Sequence, residues 1–355
     1  MPGREEPRHN LLELMHPFTR LAGLILLLLC VIGSEALAND KGPAILRNVH
    51  RVVFLGDSIT QAGDYVVDME CWCLIHGMRL EFLNIGLASE TATDLTPAEN
   101  EWHRKTFGFG RPFVSERLGR ALQQTKPDLL VACYGMNDAT SLPATDEGMQ
   151  RYERAITGLR EAALRSGAKR VLLCTPPVFD NKGPYAENNT DHVLTRYADW
   201  LVSKRKEGWL VADVHTPMRR ALDNHRAADP KFEFAADGVH PNRAGHWVMA
   251  MAILTDAFGA NVAGVPSAEA LFRAHGEETR ALVRQKQDIL FEAYMSKIGH
   301  QRPGVPGGPG SPAGRSIEDA QRSAAEIGAR IDALLRWVLN PVSSIRKWPI
   351  LRTAF

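Results

Sequence analysis

Five short apolar runs recur along the chain: RVVFLGD (51–57), EFLNIG (81–86), DLLVACYG (128–135), RVLLCTPP (170–177) and WLVADV (209–214). Each scarcely alternates with polar residues, the pattern of a strand buried on both faces of a parallel sheet. Between them lie amphipathic stretches, FVSERLGRALQQT, MQRYERAITGLREAALRSG and DHVLTRYADWLVSKRKEG. In the second, Tyr152, Ile156, Leu159 and Ala163 recur at helical spacing. PNRAGHWVMAMAILTDAFG predicts a last helix with Pro241 in its first turn, where a missing N–H costs little. Strands alternating with helices predict the α/β class: a doubly wound, five-stranded parallel sheet sandwiched between helical layers. In such sheets ligands sit outside the carboxyl ends of the strands.

After Gly259 the alternation stops, which divides the chain into a domain over 48–260 and a helical extension over 261–355. Residues 267–299 read as one helix. A Pro/Gly-rich linker without periodicity follows at 302–314. A second helix runs from Ile317 to Leu339, where Ile317, Ala320, Ala324, Ile327, Ile331, Leu334 and Val338 step by 3 and 4. That seam wants a partner. It either folds back on helix 267–299 or the main domain, or pairs two copies into a homo-oligomer. No internal repeat is visible.

The N-terminus carries a different signal. Arg20 precedes the apolar run LAGLILLLLCVIG, and SEALAND follows with Ala36-Leu37-Ala38 as a cleavage site. This reads as a signal peptide over 1–38, with Met15 as an alternative start, and the mature protein as exported, periplasmic or secreted. The run is short for a spanning helix. The competing reading is an uncleaved membrane anchor. A lipoprotein reading is weaker, since Leu29 is bulky where a small residue is wanted.

Formal net charge is +1, so nothing in the composition points to nucleic acid. Of five cysteines, Cys30 lies in the leader. Cys133 and Cys174 sit inside apolar runs and read as buried thiols. Cys71 and Cys73 are too close to pair comfortably, and Cys-x-Cys alone is a poor metal site. No disulfide framework, structural zinc or other metal, and no cofactor, is expected.

The first run ends in Gly-Asp-Ser, which puts Ser58 just past the carboxyl end of the first strand. Two readings compete: a helix cap whose hydroxyl satisfies orphan N–H groups, or a nucleophile aimed into the crevice. A serine hydroxyl is a weak nucleophile and needs a base, an orienting acid and an oxyanion site. ADGVHPNRAGH supplies Asp237 and His240, spaced so that a carboxylate reaches the imidazole Nδ1 and fixes its tautomer. Asp-Gly is also a common turn. NIGLASETA ends the second strand with Gly86, whose N–H a substrate could approach closely. YGMNDAT places Asn137 just past the third strand. Gly86 N–H, the Asn137 amide and Ser58 N–H would make a three-donor pocket; Gly86 could equally form a turn, and Asn137 an Asx cap. These elements fall at predicted strand ends or on one edge.

These blocks resemble the SGNH/GDSL hydrolase family of serine esterases. GDSIT carries the serine block, NIGLASET the glycine block, GMND the Gly-x-Asn-Asp block and DGVH the Asp-x-x-His block, in the family's order. The resemblance implies a flavodoxin-like α/β/α fold. It also implies Ser58 as nucleophile, His240 as base, Asp237 as its partner, and Gly86 and Asn137 as oxyanion donors. One departure is TQAG, whose glycine comes one residue later than in many members. The C-terminal helices are similar to extensions on some exported bacterial relatives thought to act on carbohydrate esters.

Asp57 and Asp138 are expected to brace their loops through backbone hydrogen bonds. Trp102 and Phe107, with His103 and Phe109, either wall a substrate pocket or pin their own loop. His246 reads as packed in its helix, and His76 and His215 have no supporting pattern. The expectation is an exported serine esterase without metal or cofactor, releasing short acyl groups, mainly acetyl, from a small ester or an acylated carbohydrate. The alternatives are a lipase- or thioesterase-type acylhydrolase, and a non-catalytic carbohydrate-binding or scaffold protein. A membrane enters only if the N-terminal segment stays uncleaved.

Overall fold

A computed structural model of the chain describes residues 43–181 and 189–339. The leader expected at 1–38 lies outside them. Two units are distinguished, Met1–Arg47 and Asn48–Phe355. In the first, the described residues form one 3-10 turn, Ala44–Leu46. The second holds everything that follows.

All five apolar runs are strands: β1 Arg51–Gly56, β2 Glu81–Asn84, β3 Leu129–Cys133, β4 Arg170–Cys174 and β5 Leu210–Ala212. They pair in parallel in the order β2-β1-β3-β4-β5. Val53 stands opposite Leu83 on one side and Leu130 on the other, and the central strands β1 and β3 are buried along nearly their whole length. The order reverses between β1 and β3, and a sheet of this order holds its crevice at that switch point.

Eleven α-helices are described: α1 Ser58–Ala62, α2 Asp64–Ile75, α3 Glu101–Phe107, α4 Val114–Thr125, α5 Met136–Ser141, α6 Asp146–Arg165, α7 Thr190–Ser203, α8 His215–Ala228, α9 Arg243–Phe258, α10 Gly276–Ile298 and α11 Ile317–Leu339. Helices α2, α8 and α9 form one layer and α4, α6 and α7 the other. Tyr152, Ile156, Leu159 and Ala163 form the buried stripe of α6, as their spacing predicts.

Two predicted helix boundaries need correction. Pro241 lies ahead of α9 rather than in its first turn. The helix starts at Arg243, capped by Asn242 Oδ1, which accepts the Gly245 N–H at 3.0 Å. Residues 267–299 are not one helix: a 3-10 turn, Glu269–His275, precedes α10. The break falls where Gly276 lies against the Glu269 backbone, so close that a Cβ there would come within 2.1 Å of Glu269 O.

The extension is part of the fold. Helix α10 runs along β2, the edge strand, and touches α2 on one side and α4 on the other. It covers an edge that would otherwise expose unpaired backbone groups. Helix α11 folds back on α10 and buries Ala320, Ala324, Ile327, Ile331 and Leu335. Leu335 is buried where the seam predicts Leu334, which is half-buried, and the side chain of Val338 lies outside the described ones. The Pro/Gly segment between them is packed rather than a free spacer. Val305 is buried, His300 Nε2 donates to Pro306 O at 2.9 Å, and the Arg302 guanidinium sits 4.1 Å from the Phe109 ring centroid. Cys71, Cys73, Cys133 and Cys174 are buried free thiols.

Candidate active site

The short helix α1 begins directly after β1, so Ser58 is its first residue. The capping role falls to Asp57, whose Oδ1 accepts the Ile59 N–H at 2.9 Å. The Ser58 hydroxyl is thus free of cap duty. Ser58 Oγ instead lies 2.8 Å from His240 Nε2. Helix α1 ends at Gly63 with φ 74°, a left-handed conformation suited to glycine, and α2 starts at once. The glycine that comes one residue late therefore marks a cap between two helices.

His240 comes from the loop before α9. Its Nδ1 lies 2.6 Å from Asp237 Oδ2. The other Asp237 oxygen accepts the backbone N–H groups of Val239 at 2.9 Å and His240 at 2.8 Å. A carboxylate facing Nδ1 puts the proton there and leaves Nε2 as acceptor toward Ser58. Desolvation works to raise the Asp237 pKa. The hydrogen bonds from the His240 ring and from both N–H groups prevail, and the carboxyl lies below its ordinary value. Both side chains are half open to solvent, His240 at 51% and Asp237 at 54%.

Asn137 stands in α5, at the end of β3. It is no Asx cap: its Nδ2 donates to Glu90 O at 2.9 Å, and its Oδ1 accepts from Arg111 Nη1 at 2.6 Å. An NH2 group has two hydrogens, so one remains for another acceptor. Gly86 is arranged differently from expectation. Its N–H donates to Asn84 Oδ1 at 2.9 Å, and a Cβ on it would lie 2.4 Å from Gln61 N. The glycine is there to let α1 pack against the end of β2. Asp57 and Asp138 do brace their loops. Asp138 accepts from Thr93 N at 2.9 Å and Ala92 N at 3.2 Å, tying the loop after β2 to α5. Burial pushes the Asp57 carboxyl up to about 7, against the downward pull of the Ile59 N–H and of His240 and Arg111. Burial likewise raises Asp138.

Three features escaped the sequence. Ser89 is the third residue of a turn closed by Glu90 N to Leu87 O at 3.1 Å, and its φ is 68°. Glycine is the usual occupant of that conformation. No acceptor for the Ser89 N–H is found among the described residues. Glu90 is buried in a bidentate pair with Arg117, at 2.6 Å, and accepts from Tyr134 Oη, which fixes the carbonyl that Asn137 uses. Arg111 reaches inward from the segment after α3. The one sequence cue was a positively charged residue inside an aromatic-rich loop, GFGRPF.

On that segment Trp102 and Phe107 are exposed and meet edge to face at 5.9 Å. His103 packs beneath them against Phe107 and Phe109. His246 is buried and stacks on Tyr65, packed as expected.

Residues 54–248 match the profile of the GDSL-like Lipase/Acylhydrolase family. No protein of curated function matches the chain. Among solved structures, BT4096, a gut microbial diltiazem-metabolizing enzyme, is 21% identical with a TM-score of 0.44. That match covers 59% of this chain and 47% of that one, so it spans about half of BT4096. A catalytic mutant of Axe2, an acetylxylan esterase from Geobacillus stearothermophilus, is 20% identical at a TM-score of 0.44, covering 59% of this chain and 94% of that one. LAE5, an alpha/beta hydrolase from the metagenome of Lake Arreo, Spain, is 23% identical at a TM-score of 0.38 over 59% and 94% of the two chains. The family profile spans more than half of the sequence, from within β1 into α9. The chain therefore belongs to the GDSL-like lipase/acylhydrolase family.

Proposed function

We propose that this is an exported serine esterase that removes short acyl groups, acetyl foremost, from a carbohydrate through a Ser58-His240-Asp237 triad. The carrying observation is the unbroken relay from Ser58 Oγ to His240 Nε2 at 2.8 Å and from His240 Nδ1 to Asp237 Oδ2 at 2.6 Å.

Ser58 Oγ attacks the ester carbonyl as its proton passes to His240 Nε2. Asp237 stabilises the resulting imidazolium. The C–O bond to the alcohol then breaks, and the alcohol leaves with the proton from His240. Water, deprotonated by His240, attacks the acyl-Ser58 ester, and the carboxylic acid departs as Ser58 recovers its proton. The oxyanion formed in each half-reaction sits on the Ser58 N–H, the free hydrogen of Asn137 Nδ2 and the Ser89 N–H. Ser89 replaces Gly86 in this hole because the Gly86 N–H already serves Asn84. The open donor in a strained turn supports the choice of Ser89, since such backbone strain concentrates at functional sites.

The substrate reading rests on openness. A triad with half-exposed acid and base leaves room for a bulky, hydrated leaving group outside the cleft. Trp102 and Phe107 would offer flat apolar faces to a sugar, since aromatic side chains present large surface at fixed geometry. The test is a series of 4-nitrophenyl esters together with acetate release from acetylated polysaccharides. Acetyl or propionyl should be turned over fastest, with acetate freed from at least one polymer. A maximum beyond about octanoyl would place the enzyme with lipases.

A further inference from the structure

A carboxamide offers an oxygen and an NH2 of nearly the same shape, so a half-turn of the amide exchanges acceptor for donor. An Asn in an oxyanion site must hold one orientation. Two contacts impose it on Asn137: its Oδ1 faces Arg111 Nη1 at 2.6 Å, and its Nδ2 faces Glu90 O at 2.9 Å. The flipped amide would set NH2 against a guanidinium and oxygen against a carbonyl.

Arg111 is well fixed for this task. It is 7% exposed. Its backbone N–H donates to Asn100 Oδ1 at 2.7 Å, and its carbonyl accepts from Asn100 Nδ2 at 3.2 Å. Beyond Asn137, the guanidinium donates to Thr140 Oγ1 at 3.3 Å, and Nη1 reaches Ser89 O at 3.4 Å. One cation thus touches both segments that carry the donors outside α1. A positive charge on Oδ1 also draws electron density from the amide and makes its N–H a stronger donor, because hydrogen bonds in a chain polarise one another.

We propose that Arg111 is the positioning residue of the oxyanion site: its guanidinium locks the Asn137 amide with Nδ2 toward the reacting carbonyl and strengthens that donor. This rests on the reading of Asn137 as an oxyanion donor.

The experiment is a double-mutant cycle on the full chain, with Arg111→Met, Asn137→Ala and the pair, measuring kcat and KM on 4-nitrophenyl acetate. Removing one oxyanion donor typically costs about 10²–10³ in kcat, which sets the expectation for Asn137→Ala. Arg111→Met should lower kcat by about 10–100-fold with KM changed less than about threefold, within that ceiling. In the Asn137→Ala background the same substitution should change kcat by less than about threefold, because coupled residues do not add. Arg111→Lys, which keeps a donor and the charge, should recover part of the loss and replaces Arg111→Met in the cycle if that variant does not fold. Equal losses in both backgrounds, or an undiminished kcat in Arg111→Met, would overturn the proposal while leaving Asn137 in place. An undiminished kcat in Asn137→Ala would remove the reading of Asn137 itself, and the proposal with it.

Discussion

Arg280 Nε lies 2.7 Å from Asp68 Oδ1, joining α10 to α2 across 212 residues of sequence. The same guanidinium reaches Asp64 at 2.6 Å, while Arg284 donates to Asp64 and to Ala62 O at the end of α1. Glu70, also buried, takes Lys286 and Gln287. The extension thereby neutralises the carboxylates that α2 buries, and it holds the far end of the helix that begins with Ser58. Breaking a buried ion pair by removing one partner costs about 3–5 kcal/mol. Arg280→Met should therefore lower stability by that order, read as a shift of the urea midpoint. Unchanged stability would show the extension to be an appendage.

Gly86 and Ser89 should respond in opposite ways to a change of Cβ. Gly86→Ala puts a methyl 2.4 Å from Gln61 N and must displace α1. Misplacing a reacting group by 1 Å can cost about 10²-fold in rate, so kcat should fall at least about tenfold. Ser89→Gly relieves a left-handed serine, a conformation that costs about 1–2 kcal/mol in other residues, and keeps the N–H. Its kcat should stay within about threefold of wild type, with thermal stability equal or higher.

Asp237→Asn should leave the backbone turn intact, because an amide oxygen can still accept from Val239 and His240. It would turn an NH2 toward Nδ1 and favour the wrong tautomer. In a Ser-His-Asp triad that change costs about 10⁴ in kcat, and the same order is expected here with little change in KM.

His246 supplies a pH test. Burial foremost, helped by Arg284, Arg280 and His240 and opposed by Asp64, lowers its pKa to about 4. Between pH 6.5 and 4 the unfolded chain takes up a proton that the folded chain refuses, so this residue favours unfolding as pH falls through that window. One proton corresponds to about 1.4 kcal/mol per pH unit. His246→Phe, which keeps a ring against Tyr65, should lose less stability than wild type across that interval in denaturant titrations. Parallel pH profiles would show that His246 is protonated in the folded state.

The five strands and the Asp-x-x-His turn were legible because their signals are local: apolar runs of strand length, and two side chains three residues apart. Helix α2 was not, because Tyr65 to Leu74 are buried on every side and Asp68 and Glu70 interrupt the apolar pattern. Its logic lies in cations more than two hundred residues away. The break before α10 depends on backbone contact at Gly276, which leaves no periodic trace. The distinction between Gly86 and Ser89 was hidden because glycine advertises conformational freedom, whereas Gly86 answers a close helix approach and a serine takes the left-handed turn. Arg111 was invisible for a related reason: its role is set by what it faces.

The most direct measurement of the central claim is covalent labelling with a fluorophosphonate, read by intact-protein and peptide mass spectrometry. Attack by an activated serine should give one adduct per chain, on the peptide containing Ser58, lost in Ser58→Ala and slowed at least about a thousandfold in His240→Ala, as for other triads that act as a unit. An adduct on another residue, or ester turnover by Ser58→Ala equal to wild type, would contradict the account.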